Sequence, residues 1–124
     1  MIAVGPAGEK GRGVFAQSPI ARGTLIEEAP VVVLPAAQIG HLGRTILDEY
    51  CFKWGSDSNE AAILLGTCSI CNHSFEPNAV FVCHFEELTI AFFALRDIAA
   101  GEEITINYNG DPASKEPVCF CFPP

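Results

Sequence analysis

The strongest local signal in this chain is a pair of apolar segments, 79–85 and 88–95, separated only by Glu86-Glu87. Two apolar runs joined by a short polar link read as an antiparallel hairpin. An isolated hairpin is marginal in water, so other strands must cover its apolar face. The chain supplies them. Val14-Phe15-Ala16 follows a Gly-Arg-Gly turn and reads as a first strand. Thr24-Leu25-Ile26-Glu27 and Val31-Val32-Val33-Leu34 are β-rich, with breaks expected at Pro30 and Pro35. Residues 103–108 alternate, putting Ile104, Ile106 and Tyr108 on one face. Tyr50, Phe52 and Trp54 alternate with Cys51 and Lys53, an aromatic stripe of the kind that ordinarily belongs to a core.

Helical signals are few. Ile39, Leu42 and Ile46 fall at near-helical spacing, but Gly40 and Gly43 allow only a short helix. Asp57 with Glu60 resembles a capping box and predicts a second short helix over 61–65, ending at Gly66. The tail, 109–124, is rich in Pro and Cys and has no periodicity. The expectation is a mainly β domain of many short strands with one or two short helices, occupying residues 1–124.

Hydrophobic residues are 49% of the 124, enough for a core, and no run approaches the ~20 apolar residues that span a bilayer. The opening MIAVGPAGEKGRG has no basic region leading into an apolar one, so it does not read as a signal peptide. The expected compartment is the cytoplasm, with a nuclear or secreted destination left open. In that setting the Asn72-His73-Ser74 glycosylation pattern carries no weight. Fifteen acids against seven bases give a net charge of −8. Such a surface disfavours direct contact with nucleic acid or anionic membranes and favours a basic partner such as a Lys-rich tail. Oligomeric state is not legible.

Six cysteines in a reducing compartment suggest thiols or metal before disulfides. Cys68 and Cys71 have a spacing common in zinc sites. Cys68 nonetheless sits among Leu64, Leu65 and Ile70, where a thiol behaves as a small buried hydrophobe, and that reading is preferred.

Three separated pieces carry the chemistry: KGRGVFA at 10–16, NHSFEPNA at 72–79 and LRDIAAGEEITINY at 95–108. In order and spacing they resemble the defining motifs of the SET-domain protein-lysine methyltransferases. The turn Ala21-Arg22-Gly23 and the segment Tyr50-Cys51-Phe52-Lys53-Trp54 fit the small members of that family. The resemblance spans about residues 8 to 122. It implies a SET fold, a β-clip whose C-terminal part threads beneath a loop as a pseudoknot, with 109–124 as a short post-SET-like tail. It implies S-adenosylmethionine as methyl donor, bound by Lys10, Gly11, Arg12, Gly13, Asn72, His73, Tyr108 and Phe120. Tyr108 is the implied catalytic residue, and Tyr50, Phe52, Ile106 and Phe122 are the implied lysine channel. The substrate would be a basic protein or Lys-containing tail. An inactive SET-fold module that binds peptide or methyl-lysine is the alternative. A thiol-rich zinc-binding protein rests on the cysteines alone.

The departures concern metal. Many SET enzymes have Cys directly after Asn-His-Ser, joining a C-terminal CxCxxxxC around zinc. Here that position is Phe75, and of the C-terminal pattern only Cys119 and Cys121 are present. No metal is therefore expected. Asn107 stands where Asp is common before the tyrosine.

Overall fold

The computed structural model describes residues 1–118. Phe120 and Phe122, and the Cys119/Cys121 pair, lie outside the described residues. Nine strands are present among those described: β1 (Ile2–Pro6), β2 (Arg12–Ala16), β3 (Leu25–Leu34), β4 (Cys51–Trp54), β5 (Glu60–Leu64), β6 (Asn72–His73), β7 (Ala79–His84), β8 (Thr89–Ala94) and β9 (Glu103–Ile106). The one α-helix among them, α1 (Ile39–Leu42), is a single turn flanked by short 3₁₀ segments.

The strands form two sheets. Five antiparallel strands run in the order β4-β5-β3-β8-β7. The smaller sheet has the order β1-β2-β9-β6, with β9 antiparallel to β2 and parallel to β6. A single apolar cluster joins them, with Val14, Phe92, Ile104 and Ile106 among its most buried members. The last strand therefore lies between two segments that precede it by about 90 and about 30 residues. Such insertion is uncommon because connections rarely thread one another.

The hairpin is present, with a four-residue turn over 85–88 instead of two; Leu88 closes it at φ 58°. Four local expectations fail, each for a physical reason. Residues 61–65 are not a helix. Residues 60–64 are a strand between β4 and β3, where burial on both faces favours a continuous apolar run over alternation. Ala61 and Ala62 are fully buried there. Pro30 does not break its segment either. It lies where β3 changes partners, from β8 (Leu25 to Pro30) to β5 (Val31 to Leu34), and its side is exposed, so the missing N–H is harmless. Arg12 and Gly13 belong to β2, not to the turn, which is the 3₁₀ segment Gly8–Lys10 closed by Gly11 at φ 84°. Finally, β1 precedes the segment expected to be first, and its apolar residues are too few for a sequence signal.

Candidate active site

Asn72 and His73 follow the 3₁₀ segment Thr67–Ile70 and form β6, whose register sets Asn72 beside Thr105 and His73 beside Ile106. The Glu27 carboxylate accepts from the Thr67 and Cys68 backbone N–H groups at 3.1 and 2.9 Å, holding the segment that leads into β6. The Asn72 side chain spends both amide hydrogens within the protein. Its Nδ2 donates to Arg12 O and to Glu103 Oε2, both at 2.8 Å. Glu103 also pairs with Lys10. Gly13 is glycine for want of space: a Cβ there would lie 2.6 Å from Glu103 Oε2 and 3.1 Å from Asn72 Nδ2.

His73 is bound on two sides. Its Nδ1 accepts the Tyr108 backbone N–H at 3.0 Å, and its ring lies 4.5 Å edge-on from Phe75 and 5.3 Å from the Tyr108 ring. Burial holds the imidazole below its ordinary pKa of 6.5, so it is neutral at neutral pH. With Nδ1 accepting, the proton sits on Nε2, which is buried and has no partner among the described residues.

Tyr108 follows β9 and donates its hydroxyl to Cys71 O at 2.7 Å. Although the residue is 43% exposed, partial desolvation first, then the nearby Cys71, Tyr50 and Glu103, pushes its pKa up to about 12. It is a neutral phenol at any physiological pH, a donor and not a base. The segment after it is stitched in place by buried Asn107, which donates to Ser114 O at 2.9 Å and accepts from Asn109 N–H at 3.0 Å.

A pocket of about 310 Å³ opens beside Tyr108. It brings Tyr50, Phe52 and Ile106 of the expected channel together with Tyr108, the expected catalytic residue, and Phe81 packs 5.1 Å edge-on to Phe52. The aromatic stripe therefore divides: Trp54 is core, 3% exposed, while Tyr50 and Phe52 face the pocket. Lys10, Gly11, Arg12, Gly13, Asn72 and His73 do not line it. They form a second group, joined to the pocket through the His73–Tyr108 contacts. Sequence reasoning did not single out Glu103, Asn78 or the packing role of Phe75. Buried Asn78 donates to Glu103 O at 2.8 Å and accepts from Thr105 N–H at 2.9 Å, fixing β9 from the far end of the same motif.

Cys68 and Cys71 are 1% and 2% exposed, as a buried-hydrophobe reading requires. Hydrogen bonding with Cys71, then burial, raises the Cys68 thiol far above its ordinary range.

The family model described as the SET domain matches residues 11–109. The chain belongs to the SET domain family. A fission yeast (Schizosaccharomyces pombe) histone-lysine N-methyltransferase, H3 lysine-37 specific, is 36% identical over 100 residues, covering 80% of this chain and 67% of that protein. An H3 lysine-36 specific enzyme of Aspergillus oryzae is 45% identical over 58 residues, 44% of this chain but 6% of its own length. A crystal structure of a Plasmodium falciparum protein described as a histone methyltransferase superposes with a TM-score of 0.69 at 27% identity, covering 86% of this chain and 91% of that one. SET proteins are S-adenosylmethionine-dependent methyltransferases, and these relatives support protein-lysine methyl transfer as the activity. They lend nothing to the alternative of an inactive peptide-binding module.

Proposed function

We propose that this SET domain methylates a lysine on a basic, histone-like tail, with Tyr108 as the catalytic residue at the junction of a donor site and a lysine channel. The observation that carries the assignment is the double tie of Tyr108. Its backbone is bonded to His73, its hydroxyl to Cys71 O, and its ring lines the aromatic pocket.

The residues present fit S-adenosylmethionine. Asn72 Oδ1 makes no hydrogen bond among the described residues, which leaves an acceptor for an ammonium. The unpartnered His73 Nε2 supplies a buried donor, and Gly11 at φ 84° has open space where a side chain would stand. The bound donor supplies a methyl group on a sulfonium.

The chain's own work is positioning. An attacking lysine must be neutral, and a free lysine, with a pKa of ~10.4, is almost wholly charged at pH 7. Tyr50, Phe52 and Phe81 form the aromatic wall of the pocket, where desolvation lowers that pKa, while Asp48, Glu49 and Lys53 also line it. The Tyr108 hydroxyl is a fixed dipole beside the reacting atoms and takes no proton. No general base is needed, and alignment supplies much of the rate. Phe120 and Phe122 complete this proposal from the tail. No metal is assigned, because Phe75 stands where many SET enzymes carry a zinc-ligating Cys.

The test is incubation with labelled methyl donor and a panel of basic proteins, with mass spectrometry of the products. Methyl-lysine on a histone-type tail is expected. No incorporation on any basic protein, with donor binding intact, would overturn the proposal.

A further inference from the structure

We infer that Glu103 is a positioning residue for the donor site: its carboxylate orients the Asn72 amide so that oxygen, not nitrogen, faces the donor's amino-acid end. The inference rests on the proposed role of Asn72.

An asparagine side chain is nearly symmetric in shape, and rotation by half a turn exchanges an acceptor for two donors. Something must choose between the two states. Here Nδ2 meets two acceptors, Arg12 O and Glu103 Oε2, each at 2.8 Å. A flipped amide would place Oδ1 against both and repel each of them. The Arg12 carbonyl makes one of these contacts as backbone; Glu103 makes the other as a charge, and hydrogen bonds to ionised groups are about twice as strong as neutral ones. Glu103 is itself held. Its side chain is 18% exposed, and Lys10 pairs with its other oxygen. Gly13 gives it room, because a Cβ there would lie 2.6 Å from Oε2. Lys10, Gly13, Glu103 and Asn72 thus form one chain of dependence, and its free end is Asn72 Oδ1. An ammonium needs an acceptor there; an NH₂ group in its place would repel it.

The test uses two ligands that differ at that end. S-adenosylhomocysteine carries the amino and carboxylate groups, and methylthioadenosine lacks both. By calorimetry, Glu103→Leu is expected to weaken S-adenosylhomocysteine by about tenfold or more, the scale of losing a well-placed charged contact, and to leave methylthioadenosine unchanged. Glu103→Gln, which can still turn an oxygen toward Nδ2, should recover part of the loss. Equal weakening of both ligands by Glu103→Leu would show general damage to the site and overturn the inference. So would normal S-adenosylhomocysteine binding by Glu103→Leu when Asn72→Ala loses it. Normal binding by Asn72→Ala would instead remove the underlying role of Asn72. If Glu103→Leu does not fold, the wild-type Asn72 side-chain amide decides by NMR: both Nδ2 protons are expected to be protected from exchange with water, and exchange as fast as that of a solvated amide would overturn the inference.

Discussion

Tyr108 and His73 make their contacts with few alternatives, so single changes report on them clearly. Tyr108→Phe removes one hydroxyl and its bond to Cys71 O. Stability should fall by about 0.5–1.5 kcal/mol, the net worth of one hydrogen bond, while methyl transfer to a verified substrate falls by orders of magnitude. Unchanged turnover would take Tyr108 out of the mechanism. His73 adds a pH dependence. Its folded pKa lies below 6.5 because burial disfavours the charged ring. The unfolded chain then binds more protons below that value, so this contribution is complete above pH 6.5 and is lost as pH falls through the folded pKa. Protonated Nδ1 also cannot accept from the Tyr108 N–H. Thermal melts should show a loss of Tm setting in below pH 6.5 that His73→Gln flattens; an identical profile in the variant would rule the imidazole out. At this scale the sequence was informative where a motif named the residue: Asn72, His73 and Tyr108. It was silent on Glu103 and on the packing of Phe75 against His73, because the one has partners remote in sequence and the other acts by ring contact. Neither leaves a local pattern.

Among the elements, β9 and the turn before it depend on side chains borrowed from elsewhere. Glu102 accepts from Arg96 at 2.7 Å, from Ala99 N–H at 3.0 Å and from Asn78 at 3.2 Å. These bonds, Arg96 first, pull its pKa from the usual 4.5 down to about 2. The depressed value means stability that is present above pH 4.5 and is lost as pH falls toward 2. Glu102→Gln should therefore unfold with a shallower acid dependence in that window, and an unchanged slope would contradict the assignment. Asn78→Ala orphans Thr105 N–H and Glu103 O in the interior, and should cost about 2–3 kcal/mol by chemical denaturation. Patterning located most strands but misread 60–64, where the Asp57/Glu60 capping signal was outweighed by burial between two neighbours. A strand covered on both faces has no period to detect. Ile106 shows the same limit. It lines the pocket, yet it is 1% exposed in the core cluster. Adding a ring there, as in Ile106→Tyr, should overpack the core by about 1–3 kcal/mol before it changes how many methyl groups are added. Melting of that variant alongside product mass spectra separates the two effects.

For the molecule as a whole, the three motifs stand far apart in the chain and meet because β9 lies between β2 and β6. Their order was legible; the register that joins them was not, since it is set by pairings across 30 to 90 residues. That placement has a consequence in time. During synthesis the glycine segment and the Asn72 segment emerge long before residues 103–106, and until those arrive neither has the strand that unites them. The proposed donor site is therefore expected to be among the last features a nascent chain acquires, and in the mature protein to open as one unit. Hydrogen exchange should report this directly. The amides of Val14, His73 and Ile106 should exchange through one shared opening event, with matching free energies and a matching response to denaturant. Independent opening of β6 would mean that the two halves of the site can part while β9 stays in place.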